Sequence, residues 1–207
     1  MADLAKTRLY RLTHIANLPH ILVHGLTRWS SPNANPAYLP IGDSSLIGAR
    51  KDRILTNGNL LGNYLPFYFG VRTPMLYVIQ NGYNNVPRQL PTDLVYCVTS
   101  VEEVINLRQP FIFTNGHATD GYTQFFDPSR IEELDSILDW NAIKAQFWKS
   151  DTDLDLKRRK EAEFLMEGDL PFSSILGFLA YDIAAQQQMM EYGFSPDKIH
   201  LYPNFYF

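Results

Sequence analysis

The stretch Lys157-Arg158-Arg159-Lys160-Glu161-Ala162-Glu163-Phe164-Leu165-Met166 decides how the rest of the chain is read. Four consecutive cations run into a segment that alternates in character. On a strand, side chains point to opposite faces with period two. Glu161, Glu163 and Leu165 then share one face, and Ala162, Phe164 and Met166 make a wholly apolar face suited to a core. Two readings follow: an ordinary edge strand with solvated carboxylates, or a carboxylate held on a rigid element beside an anion-binding surface. The remainder of the chain chooses between them.

Composition narrows the choice. At 207 residues, with 45% hydrophobic and 14% aromatic residues, the chain suits one domain, 1–207, with a substantial core. A formal charge of −4 excludes a globally basic nucleic-acid coat and leaves room for a local patch. The single cysteine, Cys97, sits in the apolar run Leu94–Val98 and reads as a buried, inert thiol. Neither an internal disulfide nor a cysteine-based zinc site is available. Met1 to Arg11 lacks the apolar core of a signal peptide, and no apolar run approaches a membrane span, so a cytoplasmic protein is expected.

Taken in order, Leu9–Thr13 reads as a strand and Asn17 caps a helix through Leu18, Ile21 and Leu22 that Gly25 stops. His14 falls at the junction, where loop amides often meet polar ligands. His20 and His24 have metal-ligand spacing without a third ligand motif and read as surface residues. Ser30–Asn63 is rich in Pro, Asn, Gly and Ser with little periodicity, which points to a functional loop or lid. In Tyr64–Tyr77 the aromatics are too dense for a plain strand; Phe67 and Phe69 face one way, Tyr68 the other, and a turn over Arg72–Met75 follows.

Leu94–Thr99 and Phe111–Thr114 read as strands, and Asn115-Gly116-His117 as a tight turn that presents His117. Ser100 with Glu103, and Ser129 with Glu132, are capping-box pairs. Ile131, Leu134, Leu138, Ile143 and Phe147 supply apolar helix faces. Asp151, Asp153 and Asp155 form an acidic loop that lacks a calcium pattern. Ser173 or Ser174 caps a helix through Ile175, Leu176, Leu179 and Ile183, and Ile199–Tyr202 with Phe205–Phe207 reads as a closing strand. Helices and strands mix without a βαβ rhythm, which indicates α+β. There is no G-x-S-x-G elbow, P-loop, H-E-x-x-H or G-x-G-x-x-G with its acidic partner. Chemistry by an isolated carboxylate, aided by Arg, His and Tyr, is what remains.

The chain resembles the DarT-type DNA ADP-ribosyltransferases, the toxin half of a bacterial toxin–antitoxin pair. The resemblance is carried by Thr13–Leu18 with Ile21-Leu22 and Gly25-Leu26, by Pro66–Phe69 with Arg72–Tyr77, by Val95–Val104, by Phe113–Ala118, by Ala162–Leu165 and by Phe205–Phe207. These segments lie in order over nearly the whole chain. The resemblance implies an ADP-ribosyltransferase (PARP-like) fold, with split antiparallel sheets around an NAD⁺-binding cleft and peripheral helices. It implies transfer of ADP-ribose from NAD⁺, as co-substrate and without a metal, to a base in single-stranded DNA, most often thymidine.

On this resemblance Glu163 falls on the catalytic glutamate and Arg50 on the catalytic, NAD⁺-phosphate-binding arginine, with Arg53 as the alternative. His14, Asn17, Phe67 and Tyr68 fall on cofactor-binding positions. Arg72, Met75, His117, Lys157, Arg158 and Arg159 fall on DNA-binding positions. Residues 30–63 correspond to the loop covering NAD⁺, and about 145–163 to the substrate-selecting loop. Partners implied are single-stranded DNA and a macrodomain antitoxin, with a monomer as the simplest assembly. Glu161 departs from the family, in which Gln is more usual two positions before the glutamate; Glu-x-Glu resembles arginine-modifying enzymes and keeps guanine and protein arginine as alternative acceptors. A non-enzymatic nucleic-acid-binding module is the competing class, and Glu163→Ala separates it.

Overall fold

The computed structural model describes residues 3–207, so Met1 and Ala2 of the expected domain lie outside the description. The first half runs β1 (Arg8–His14), α1 (Leu18–His24), α2 (Ser44–Asp52), β2 (Tyr64–Tyr68), α3 (Pro74–Asn81), β3 (Leu94–Ser100) and α4 (Val101–Asn106). Next come β4 (Phe111–Thr114), β5 (Phe125–Phe126), α5 (Leu134–Ile137), α6 (Trp140–Lys144) and α7 (Leu156–Lys160). β6 (Glu163–Glu167), β7 (Gly177–Ala180), α8 (Ile183–Glu191) and β8 (Ile199–Leu201) close the chain.

The strands form one sheet in the order β5-β4-β6-β2-β1-β3-β7-β8. Its pairs are antiparallel except β7 with β8. The middle is nearly parted, because β1 meets β2 at one register pair, Tyr10 opposite Tyr68. Pro66 removes a ladder donor from β2, and its carbonyl accepts from the Arg11 guanidinium at 3.0 Å in place of a strand partner. The resemblance implies split sheets; here the two halves are joined into one sheet, with this seam as the narrow junction. Register places Glu163 opposite Tyr68, so the carboxylate stands at the seam itself.

β6 lies between β4 and β2, which corrects the edge-strand reading. Phe164 and Met166 enter the main core, and Leu165 enters a smaller cluster with Leu61, Tyr64 and Ala118 on the other face. With apolar partners on both faces, no solvated face remains. The strand also starts two residues later than the alternation suggested. The four cations belong to α7, Glu161 caps that helix, and Glu161 and Glu163 are both buried.

Other departures have local causes. The Ser30–Asn63 loop contains α2, capped by the Asp43 carboxylate on the Ser45 and Leu46 amides. None of its residues is buried, so no apolar period announced it. Tyr64–Tyr68 is a regular strand despite its aromatics, and the turn after it leads through Arg72 (φ +52°) and the Thr73 cap into α3. Asp127, rather than Ser129, caps the segment Pro128–Glu133, and Phe147 is 79% exposed, outside any apolar face. The helix expected from Ser173 or Ser174 is instead β7 followed by α8, capped by Asp182. β7 is flanked by β3 and β8 and buried along its length, so its apolar run lacks alternation and imitates a helix face. Phe205–Phe207 lies outside β8; the Tyr206 hydroxyl instead donates to the Leu94 and Leu179 carbonyls. Cys97 is buried, and burial pushes its thiol up to about 12. No helix among the described residues is long and apolar enough to cross a membrane.

Gly25 ends α1 at φ +73°, and a Cβ there would stand 2.1 Å from the Leu170 carbonyl oxygen. The paired Leu26 and Leu170 backbones fix that approach. Gly25→Ala is expected to destabilise by about 3 kcal/mol, from the left-handed backbone plus the clash. That corresponds to a fall in Tm of roughly 6–12 °C, read by thermal unfolding.

Candidate active site

Beside the seam lies a cleft of about 1000 Å³. Its lining includes Arg50, Tyr68, Met75, His117, Glu161 and Glu163, with Lys157 and Arg158 on the α7 side. Glu163 opens β6 and is 1% exposed. Its amide donates to the Thr114 hydroxyl at 3.0 Å, and its Oε1 accepts from the Ala118 amide at 2.7 Å. The end of β4 and the turn beyond it therefore hold the carboxylate in one orientation.

Arg50 reaches Glu163 from the last turn of α2 with both terminal nitrogens, at 3.0 and 2.7 Å. This forked geometry fits carboxylate and phosphate oxygens alike. Burial pushes the Glu163 carboxyl up, but Arg50, His117 and the Ala118 amide outweigh it and hold it below its ordinary value. Glu163 is thus ionised at neutral pH. Burial lowers His117 against the pull of Glu163, so its ring is neutral; its Nδ1 lies 2.7 Å from the Thr119 hydroxyl. Burial, then the charges of Glu163 and Glu161, drives the Tyr68 phenol well above its usual range and keeps it a hydrogen-bond donor. Burial, opposed by Lys157 and reinforced by Glu163, pushes the Glu161 carboxyl up to about 8.

The other residues named from the sequence are placed differently. Arg53 turns away from Glu163 and lies over the Phe125 ring, 5.8 Å from its centroid. His14 ends β1 outside the cleft lining, its Nδ1 accepting from the Ala16 amide at 3.0 Å. Asn17 is 1% exposed; it exchanges two hydrogen bonds with the Leu39 backbone and so pins the chain beside Tyr38, which lines the cleft. Phe67 is core, opposite Phe164. Arg72 is committed to the C-terminal carbonyls of Asn204 and Tyr206 and stacks 4.2 Å over Phe207. Arg159 pairs with Asp139, Asp153 and Asp155 outside the cleft lining. Arg158 lines the cleft but is anchored by Asp155 at 2.6 Å and by Asn115. Lys157 stays exposed on the cleft side.

Sequence reasoning missed Tyr122 and Leu154, which line the cleft at 87% and 89% exposure. A large apolar side chain inside a Gly/Asp or Asp/Thr loop was the available signal. It also missed the contribution of β1 through Tyr10, Arg11 and Leu12, which reads as an ordinary strand.

A family model described as "DarT: ssDNA thymidine ADP-ribosyltransferase, DarT" matches residues 10–207. The chain belongs to the DarT family. A DNA ADP-ribosyl transferase of Escherichia coli O127:H6 (strain E2348/69 / EPEC) is 29% identical over 208 residues, covering 98% of this chain and 94% of that protein. The solved structure of Thermus sp. 2.9 DarT in complex with ADP-ribosylated ssDNA superposes with a TM-score of 0.82 at 29% identity, over 97% of this chain and 96% of that one. The same protein in complex with NAD⁺ gives 0.79 at 28% identity, over 97% and 98%. A DNA ADP-ribosyl transferase-DNA ADP-ribosyl glycohydrolase fusion protein of Thermosipho africanus (strain H17ap60334) is 29% identical over 163 residues, 76% of this chain and 38% of the fusion.

Proposed function

We propose that this chain transfers ADP-ribose from NAD⁺ to thymidine in single-stranded DNA, releases nicotinamide, and acts as the toxin of a toxin–antitoxin pair. The observation that carries the reading is the forked Arg50–Glu163 pair in the cleft at the seam, in a chain matching the DarT family over residues 10–207. NAD⁺ enters as a substrate. Breaking its nicotinamide–ribose bond develops positive charge on the ribose, which a fixed, ionised carboxylate stabilises in a desolvated site. The acceptor ring nitrogen must lose its proton, and in this reading the Glu163 carboxylate takes it.

Arg50 supplies planar donors for the diphosphate. Once the diphosphate takes the guanidinium, Glu163 loses a stabilising partner and becomes a stronger base. Lys157, exposed at the cleft and in no ion pair among the described residues, suits a DNA phosphate, whereas Arg158 shapes the cleft wall and Arg72 holds the C-terminal segment. Met75 and His117 line the wall that meets the base. Single-stranded substrate follows from the chemistry, because pairing hides the thymine ring N–H. The Thermosipho fusion supports a DNA ADP-ribosyl glycohydrolase, in the role of antitoxin, as the protein partner.

The test is incubation with NAD⁺ and short single strands with and without thymine, read by intact mass. Gain of one ADP-ribose on thymine-containing strands alone is expected. Gain on guanine-only strands moves the acceptor, and modification confined to protein arginine overturns the reading.

A further inference from the structure

Glu161 is a buried carboxylic acid of the cleft whose placement the reaction above leaves unused. It is 7% exposed, lines the cleft, and follows directly on α7 as its C-terminal cap. Among the described residues no cation lies within ion-pair distance of it. Lys160, its neighbour, turns the other way and donates its ammonium to the Ile143 and Ala145 carbonyls at 3.0 and 2.6 Å. Arg50, the half-buried cation of the site, is already taken up by Glu163 in both of its terminal nitrogens.

The groups that act on the charge of Glu161 come from four elements. Lys157 and Lys160 of α7 favour its ionised form, as does the Met75 amide of α3; Glu163 of β6 opposes it, and the Tyr68 phenol of β2 is raised by it in turn. A second buried anion beside Glu163, without a counter-ion, is costly. A neutral carboxyl presents an O–H donor instead, as amide side chains present N–H.

Resting on the thymidine reading above, we propose that Glu161 is a further catalytic residue, donating its carboxyl O–H to the carbonyl oxygen beside the reacting nitrogen of the acceptor base. The bookkeeping of the step shows why a donor is needed there. In thymidine the sole ring N–H is N3, flanked by two carbonyls. The N3–C1′ bond forms as the bond from C1′ to nicotinamide breaks. The electron pair of that bond leaves with nicotinamide, and the N3 proton passes to Glu163. As the proton leaves, negative charge spreads from N3 onto the carbonyl oxygens, where a preorganised donor stabilises it. A carboxylic acid kept neutral by its surroundings performs this role without net proton transfer. Adenine and cytosine, as neutral nucleosides, carry no ring N–H beside a carbonyl, so neither gives Glu163 a proton whose loss charges an oxygen that this donor meets.

The experiment compares the full chain with Glu161→Ala and Glu161→Gln, measuring kcat/KM for transfer to a thymine-containing oligonucleotide from neutral to alkaline pH. NAD⁺ binding, read by the thermal shift it produces, reports folding of each variant. Glu161→Ala is expected to lose transfer by on the order of 10²-fold with NAD⁺ binding kept, the usual cost of one such donor. Glu161→Gln is expected to recover most of that loss. The wild-type rate is expected to fall relative to Glu161→Gln as pH rises through about 8, where the acid ionises. A Gln variant as slow as the Ala variant, an Ala variant as fast as wild type, or parallel pH profiles for wild type and Gln each overturn the assignment. Absence of transfer by the wild-type chain overturns the thymidine reading and this inference together.

Discussion

Glu163→Gln is expected to reduce transfer to a thymine-containing strand by about 10³-fold or more, since general-base and electrostatic contributions are lost together. The amide oxygen can still accept from the Ala118 amide, which Oε1 now does at 2.7 Å, so the backbone around β6 stays in place. What changes is charge. Arg50, whose side chain is 17% exposed, keeps its position beside the seam but loses its counter-ion. Breaking a buried pair from one side costs about 3–5 kcal/mol, and the open cleft reduces this to roughly 1–3 kcal/mol. Saturating NAD⁺ returns much of that stability, because its diphosphate supplies a new partner for the guanidinium. Single-turnover transfer together with thermal unfolding, each with and without NAD⁺, measures both effects. A variant that keeps wild-type transfer removes Glu163 from the chemistry.

The second large effect concerns the two arginines that the sequence left open. Arg50→Ala is expected to lose transfer by on the order of 10²–10³-fold, the range for removing one preorganised charge partner. NAD⁺ affinity falls with it. Arg53→Ala is expected to stay within a few-fold, because Arg53 faces Phe125 rather than Glu163. Burial then acts on Glu163 without its main opponent, so Arg50→Ala also raises its pKa. Glu163 now holds its folded value below its unfolded one, so the stability it contributes is present above the unfolded pKa and is lost as pH falls through the folded one. Removing Arg50 shrinks that contribution and moves its loss to higher pH. Unfolding measured from neutral to acid pH in both variants checks this. Equal losses of transfer in Arg50→Ala and Arg53→Ala would sink the distinction.

Much of the architecture was readable from short cues. Leu9–Thr13, Leu94–Thr99 and Phe111–Thr114 are strands because β-branched and aromatic residues cluster between turn residues. Ser100 caps α4 by accepting from the Glu103 amide, as its spacing suggested. Elements that failed to announce themselves did so for definite reasons. α2 buries nothing and therefore has no apolar period, although it carries Arg50 to the cleft. The positions Ile175, Leu176, Leu179 and Ile183 fit a helical stripe, but burial between two neighbouring strands makes Gly177–Ala180 a sheet element.

The cations divide in the same way. Lys157, Arg158, Arg159 and Lys160 look equivalent in the sequence, yet one is exposed at the cleft, two are tied to carboxylates and one is buried on backbone carbonyls. Arg72 meets carbonyls 132 and 134 residues further along the chain. No local pattern records such a partner.

The sequence by itself determined the ordered set of segments that place the chain in its family, most of the strands, and the glutamate that opens β6. Tertiary structure alone decided which arginine meets that glutamate, how each cation of α7 is engaged, and that Glu161 is buried without an ion-pair partner among the described residues. The division has one physical cause. Backbone preference and apolar period act between neighbours in sequence, whereas the charge state of a carboxyl depends on burial and on groups brought near it from distant segments.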